Sequence, residues 1–227
     1  MNLATEQRKP MIIPTLAASG KFGGFKPESE RAVREAKVER SPALDAILEV
    51  WGRCSNNSIS LRTASIQASA SLDISAKDIE AFTILCVQFQ EEEGFLDKGG
   101  IFISELINIS KDDRFTIYTS HLSVPIDHIG YGNTKHILVQ GNTGACAGRF
   151  MTCGSITIQG DTDFEVGCSM EGGIIIVTGN ASFDVGKDMK GGEIHIEGDY
   201  ERLANNIKGG RIFHKGQQIW PEGGGRK

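Results

Sequence analysis

The chain has 227 residues, of which 39% are hydrophobic and 23% charged, and its formal net charge is −5. This composition is typical of a globular protein and argues against a nucleic-acid partner, which usually requires a basic surface. No apolar run approaches the ~20 residues that span a bilayer, and the first residues lack the apolar segment of a secretory signal. We therefore expect a cytoplasmic protein with no membrane partner.

Residues 1–40 are expected to form an extended or helical N-terminal arm. A stretch that contains glycine and proline runs there into the charged segment ESERAVREAKVER. A solvated helix or a flexible arm is one interpretation of this composition. An arm that lies on a partner subunit is the alternative.

Residues 41–115 are predicted to form a small α+β region that packs on the remainder of the chain. Ser41 stands as a helix N-cap before Pro42, and the segment ALDAILEVWG has helical apolar spacing and ends at Gly52. The segment SAKDIEAF is expected to add one or two helical turns. Strands are predicted in four further segments, at residues 60–72, 82–89, 98–109 and 114–122.

Glycine recurs at a fixed spacing through residues 116–220. Gly141, Gly160, Gly179 and Gly198 follow one another at intervals of 19 residues, and Gly216 comes 18 residues later. Other glycines keep the same register and form two further columns. The predicted structural repeat glycines are Gly141, Gly148, Gly154, Gly160, Gly167, Gly173, Gly179, Gly186, Gly192, Gly198 and Gly210. Columns in register are the signature of a repeat architecture.

A segment rich in β-branched residues precedes each anchor glycine: HILVQ, SITIQ, IIIVT, EIHIE and RIFHK. Side chains alternate along a strand, so the second and fourth residues before the glycine, such as Val177 and Ile175, face inward. Two more apolar columns supply further inward positions: Ala147, Val166, Val185 and Ala204, then Met151, Met170, Met189 and Ile207. We predict a mainly β fold, with a right-handed β-helix over residues 116–220 and turns of about 19 residues.

The glycine corners of this β-helix are expected to have positive φ, which glycine adopts without strain, and Asn205 replaces glycine at one corner. Asn and Asp alternate at the position after each anchor glycine: Asn142, Asp161, Asn180 and Asp199. This alternation keeps stacked carboxylates two turns apart. A phosphate-binding role for the glycines is the alternative, but no predicted helix follows them.

Residues that carry chemistry form no recognisable cluster in the sequence. The five cysteines include no C-x-x-C pair and are expected to be reduced thiols that pack as small apolar groups. The five histidines lack metal-ligand spacing, and the absence of a Gly-x-Ser-x-Gly elbow argues against a free-standing enzyme. We predict a scaffold with no catalytic, cofactor-binding or metal-binding residue.

Several apolar residues stand at or beside outward strand positions: Leu138, Ile174, Ile176 and Phe213. An apolar patch of this kind is typical of a surface that binds a partner. Cover by the N-terminal half of the same chain is the alternative.

The repeat units GDTDFEVGCSMEGGIIIVTGN and GNASFDVGKDMKGGEIHIEGD resemble the glycine-rich β-helix of two related groups. One group consists of the β-helical C subunit of formylmethanofuran dehydrogenase and its counterpart in the bacterial formyltransferase/hydrolase complex. The other is the C-terminal domain of the glutamate synthase large subunit. The preceding SELINISKDDRFTIYTSHLSVPIDHIGYGNTKHILVQGNTG and the closing RIFHKGQQIWP are more similar to the first group. Asn133 and Cys153 depart from the family pattern.

The resemblance implies a non-catalytic structural subunit in one-carbon metabolism, as in methanogenesis, where other subunits of the complex perform the chemistry. Those partners would carry a tungsten or molybdenum pterin, a two-metal site or iron–sulfur clusters, and this chain would bind no cofactor. A homo-oligomer is a further expectation for this chain. The alternative is a glutamate-synthase-like β-helix that serves an amidotransferase or oxidoreductase complex.

Overall fold

A seven-stranded sheet dominates the computed structural model, which describes residues 38–54 and 73–221. The strands are β1 (Arg114–Tyr118), β2 (His136–Gln140), β3 (Ser155–Ile158), β4 (Ile174–Val177), β5 (Glu193–Ile196), β6 (Arg211–His214) and β7 (Gln217–Trp220). They follow one another across the sheet in chain order. Strands β1 to β6 pair in parallel, and β7 turns back to pair antiparallel with β6.

The strand register confirms a β-solenoid of about five turns with a repeat of about 19 residues. Ile156 pairs with Ile175 and Val177 pairs with Ile196, so each residue lies beside its equivalent in the next unit. A second line of parallel bridges joins residues 19 apart on another side of the coil: Thr143 to Thr162, Thr162 to Ala181, and Ala181 to Tyr200. One turn of the chain is therefore one repeat unit.

The predicted inward columns form the core of the solenoid. The inner residues of β3 to β5 are fully buried, as are Val166, Val185 and the three methionines of the third column. The last residues of two inward columns, Ile207 and His214, differ from the residues before them because they are only half-buried. His214 lies in the last parallel strand, where its Nε2 contacts the Gly198 carbonyl oxygen at 2.9 Å.

The repeat glycines meet two different physical requirements. Gly167 and Gly186 have φ of +70° and +72°, as the corner prediction requires, and Gly186 N donates to Val166 O in the turn below. The prediction of positive φ is wrong for the anchor glycines Gly160, Gly179 and Gly198. Adjacent turns approach so closely there that a Cβ on Gly179 would lie 2.5 Å from the Gly160 carbonyl oxygen.

Asn205 is a further correction to the predicted corners. Its φ is not positive, although it aligns with glycines that are left-handed. Its repeat unit is one residue shorter than the others, so the backbone passes this corner differently. The sequence column marks the position but does not determine the local conformation.

The alternating Asn and Asp residues form a hydrogen-bonded ladder along the solenoid. The backbone N of Asp161 donates to Asn142 Oδ1 at 2.8 Å, Asn180 N donates to Asp161 Oδ1 at 2.7 Å, and Asp199 N donates to Asn180 Oδ1 at 2.8 Å. Lys215 Nζ lies 2.8 Å from Asp199 Oδ1 at the end of the ladder. Each side chain thus ties one turn to the next.

Before the solenoid, the described chain forms helices α1 (Pro42–Arg53), α2 (Ala76–Leu85) and α3 (Phe95–Ile109), with a 3-10 turn at Cys86–Gln88. Ser41 caps α1 as predicted, and α1 runs one residue past Gly52. The strands predicted at residues 82–89 and 98–109 are wrong, because these residues lie in α2, the 3-10 turn and α3. The strand predicted at 114–122 is confirmed for its first five residues, which form β1, whereas residues 119–122 lie outside any strand.

The described part of residues 41–115 is therefore helical up to β1, which begins at Arg114. The prediction for 60–72, and that for 1–40 except its last three residues, lie outside the described residues. A capping box explains the helical outcome at α2, since Ser75 and Asp78 satisfy each other's backbone N–H groups. None of the described helices is long and apolar enough to cross a membrane.

An aromatic cluster holds the three helices together. The Trp51 ring centroid lies 5.3 Å from that of Phe102, 5.6 Å from that of Phe82 and 6.1 Å from that of Phe95. Lys98 Nζ stands 3.9 Å from the Trp51 ring centroid, a cation–π contact. These aromatic residues and the inner residues of β1 and β2 belong to one continuous core, so the helices cover the β1 end of the solenoid.

Candidate docking face and thiol cluster

The outer face of the parallel sheet is a regular surface formed by six strands. The middle residues of the strands form one column along it: Thr116, Leu138, Thr157, Ile176, His195 and Phe213. All six are half-buried. Beside this column, Ile174 is 40% exposed, so the described helices do not cover the centre of the face.

Polar contacts order the β5–β6 end of this outer face. His195 Nε2 lies 2.9 Å from Glu193 Oε2, and Phe213 stacks on His195 with ring centroids 4.5 Å apart. The hydrogen bond with His195 and the nearby Arg211 guanidinium lower the pKa of Glu193. The outer face thus carries Ile174 and Ile176 at its centre, on β4, between the hydroxyl side chains of β3 and the charged β5–β6 end.

A second candidate site lies where the chain turns between two sides of the solenoid. Three residues at alternate positions are left-handed in each such turn before the one at Asn205, for example Cys146, Gly148 and Phe150 with φ of 58°, 72° and 58°. The 19-residue repeat stacks these turns and builds two neighbouring columns of side chains. One column is Cys146, Glu165 and Asp184, and the other is Arg149, Cys168 and Lys187.

Contacts between the two columns run diagonally from one turn to the next. Lys187 Nζ donates to Glu165 Oε1 at 2.5 Å, an ion pair between residues 22 apart. Cys168 stands in the same 22-residue relation to Cys146, and its Sγ lies 3.8 Å from Ser169 Oγ. Cys146 Sγ also lies 3.5 Å from Glu165 Oε2. We name these four residues the thiol cluster.

The surroundings shift the pKa values of the two thiols in opposite directions. The hydrogen bond from Cys146 lowers the pKa of Cys168, burial opposes this, and Ser169 and the Arg149 charge lower it further, to about 7. The hydrogen bond to Cys168, burial and the Glu165 charge all raise the pKa of Cys146.

The prediction that the cysteines pack as small apolar groups fits Cys86, which is fully buried and whose pKa is raised by burial. It does not describe Cys146, whose Sγ lies 3.5 Å from Glu165 Oε2 on the adjacent turn, because short motifs such as C-x-x-C do not reveal contacts between adjacent turns. The useful signal is a separation of 19, which is one turn of the repeat. Cys153 is exposed, and none of these cysteines forms a disulfide.

The histidines contact ordinary partners. They bind backbone carbonyls, carboxylates or a hydroxyl: His121 with Ile84 O, His128 with Asp97, His136 with Ser155, His195 with Glu193 and His214 with Gly198 O. Within residues 38–54 and 73–221, no three His, Cys, Asp or Glu side chains are grouped to hold a metal ion.

No protein-family model matches the chain, and no match to a curated protein or to a solved structure was found. Functional inference therefore depends on the repeat pattern, the outer face and the thiol cluster.

Proposed function

We propose that this chain is a non-catalytic structural subunit that binds a partner enzyme subunit through the outer face of its β-solenoid. The observation that carries the proposal is Ile174, a large apolar side chain left 40% exposed at the centre of a regular sheet surface. An apolar centre within a more polar rim is the usual organisation of a protein–protein interface.

The regularity of the sheet supports this role. Six parallel strands hold the outer residues in fixed columns, so a partner would meet a surface that needs little ordering on binding. Side chains fill the interior of the coil, since the inner residues of β3, β4 and β5 are fully buried. Binding is therefore assigned to the outside of the coil.

The resemblance of the repeat units to the β-helical subunit of formylmethanofuran dehydrogenase suggests the kind of complex. We propose a cytoplasmic formylmethanofuran dehydrogenase-like or formyltransferase/hydrolase-like assembly, with a right-handed coil in this chain and the reacting cofactors on its partners. The repeat is shared with the glutamate synthase domain, which makes a glutaminase- or flavin-containing complex the competing outcome.

Affinity purification of the tagged chain from its native host tests the proposal. The wild-type chain should retain stoichiometric one-carbon enzyme subunits, and Ile174→Glu should lose them while keeping its melting temperature. Phe183→Glu is a matched control, because Phe183 is 39% exposed but lies outside the outer face. Recovery of amidotransferase subunits would favour the glutamate-synthase-like alternative. Recovery of the chain alone, or equal loss of partners in both variants, would overturn docking through this face.

A further inference from the structure

Arg149 is a half-buried cation that stands without an acidic partner. Among the described residues, its guanidinium has no ion pair and no hydrogen bond. The Nε atom is buried, whereas the residue as a whole is only half-buried, so the terminal nitrogens are the part of the guanidinium that a ligand can reach. Removing a charge from water is costly unless the charge is paired.

Two similar arginines show what is missing at Arg149. In the described part of the chain, three arginines lie over phenylalanine rings, with Cζ 4.9, 5.6 and 5.9 Å from the ring centroid: Arg149 over Phe150, Arg202 over Phe183 and Arg211 over Phe213. Arg202 also pairs with Asp184 at 2.8 Å, and Arg211 pairs with Glu193. Both paired arginines are exposed, so the arginine without a carboxylate is the least exposed of the three.

Apolar surface lies beside the Arg149 guanidinium. Phe150 is 38% exposed, and Tyr131 packs edge-on against it from the equivalent position of the preceding turn, with ring centroids 5.5 Å apart. Backbone groups hold these residues in place. Gly132 N donates to Arg149 O at 2.7 Å, and Asn108 Nδ2 donates to Tyr131 O at 3.1 Å. The cation and the apolar rings are therefore neighbours on a fixed frame.

We propose that Arg149, Phe150 and Tyr131 form a binding site for a small organic carboxylate. The carboxylate accepts hydrogen bonds from the two terminal nitrogens of Arg149, in the bidentate geometry that a guanidinium offers. An apolar group attached to the carboxylate packs on the exposed ring of Phe150. This inference does not depend on docking through the outer face.

The charge of the site selects this class of anion. Arg149 supplies one unpaired positive charge, which matches the single negative charge of a carboxylate. A phosphate group carries more than one negative charge at pH 7 and calls for a second cation. The next cation of the same column, Lys187, is already engaged by Glu165 at 2.5 Å. The exposed ring of Phe150 further favours a ligand with an apolar part over an inorganic anion.

Titration of the unaltered chain with benzoate, followed by nuclear magnetic resonance, tests the site. Benzoate should shift the Nε–H resonance of Arg149 and the ring resonances of Phe150 and Tyr131. Benzamide is the neutral comparison, because it keeps the ring and loses the negative charge. It should bind roughly tenfold more weakly than benzoate, as expected for the loss of a charge-assisted hydrogen bond.

Three variants assign the roles of the charge and the ring, and thermal melts show whether each is folded. Arg149→Gln should bind benzoate and benzamide equally. Arg202→Gln is the matched control, because Arg202 also lies over a phenylalanine ring but already pairs with Asp184, and it should keep the preference for benzoate. Phe150→Ala should weaken both ligands by a similar factor, since it removes apolar contact and leaves the charge.

The proposal is overturned if benzoate, added up to its solubility limit, shifts no resonance of Arg149, Phe150 or Tyr131. A preference for benzoate that persists in Arg149→Gln, or disappears in Arg202→Gln as well, also overturns it. Inorganic phosphate that displaces benzoate at equal concentration would contradict the assignment to carboxylates. Because the first titration uses the unaltered chain, it decides the question even if a variant fails to fold.

Discussion

The solenoid (residues 114–220) and the helical cap (α1, α2, the 3-10 turn and α3) share one continuous core but build it by different rules. In the solenoid, each inner residue packs against its equivalents one turn away, as Ile175 does between Ile156 and Ile194. In the cap, the central Trp51 ring contacts four phenylalanines from distant parts of the chain. The same environment recurs along the solenoid, whereas each environment in the cap occurs once.

This difference separates what local pattern can predict from what it cannot. Equivalent residues recur in every turn of the solenoid, so the inward or outward orientation predicted for one residue can be checked against its equivalents. An atypical residue in one unit therefore does not change the predicted register. A helix in the cap has no such replicates. Its stability depends on contacts with other helices, which no window of the sequence contains.

The largest expected loss of stability follows from placing a charge in an inward column of the solenoid. Val177→Asp should unfold the chain or lower its free energy of unfolding by several kcal/mol, because a carboxylate at this fully buried position has no partner. Gln159→Asp is the control on the neighbouring turn, where the side chain is exposed and the change should stay within about 0.5 kcal/mol. Thermal melts of both variants check the register, and equal melting temperatures would contradict it.

The next effect tests whether the cap and the solenoid unfold together. Phe102→Ala should lower the free energy of unfolding by about 3–5 kcal/mol, since this fully buried ring packs on Trp51 and Phe82 and its loss leaves a cavity. Because the core is continuous, we expect one cooperative transition in urea, followed both by Trp51 fluorescence in a Trp220→Phe background and by far-ultraviolet circular dichroism. Two separate transitions would show that the cap is an independent unit.

A smaller effect distinguishes the cost of a positive φ from the cost of a steric clash at the glycine corners. Gly167 and Gly132 have φ of +70° and +59°, so alanine is strained at both. A Cβ at Gly167 would lie 2.5 Å from Ile194 Cδ1, whereas nothing lies within 4 Å of a Cβ at Gly132. Gly167→Ala should therefore cost about 1–3 kcal/mol and Gly132→Ala only the lower part of that range. Equal losses in denaturant titrations would mean that contact with Ile194 is unimportant.

The repeat allowed most of the solenoid to be predicted from sequence. The anchor spacing, the inward columns and the outward position of Ile174 all follow from side-chain alternation repeated at a 19-residue interval. The sequence could not distinguish glycines that need positive φ, such as Gly167, from those that need close approach, such as Gly179. Both requirements exclude a side chain and therefore leave the same residue in the column.

Neither the helices of the cap nor the contacts of the thiol cluster could be predicted from short stretches of sequence, and the reasons are related. Residues 98–109 are rich in apolar and β-branched side chains, but in the structure they form α3, where Phe102 packs into the aromatic cluster. Glu165 and Lys187 meet because one turn of the coil brings residues 22 apart onto a diagonal. That contact becomes predictable only after the coil has been inferred and its columns have been aligned.

The smallest expected effect lies at the N-termini of the cap helices and depends on pH. Burial raises the pKa of Asp78, but hydrogen bonds from Ser41 and Ser75 outweigh it and hold the pKa below its ordinary value of 3.8. The ionised carboxylate therefore contributes stability above pH 3.8 that is lost as the pH falls through the lowered folded-state value. Asp78→Asn should cost about 1 kcal/mol at pH 7, as loss of a helix-capping interaction does. Urea titrations should show this difference unchanged from pH 7 to about 5 and shrinking below pH 3.8. A difference that grows on acidification would mean that Asp78 is held mainly in its neutral form.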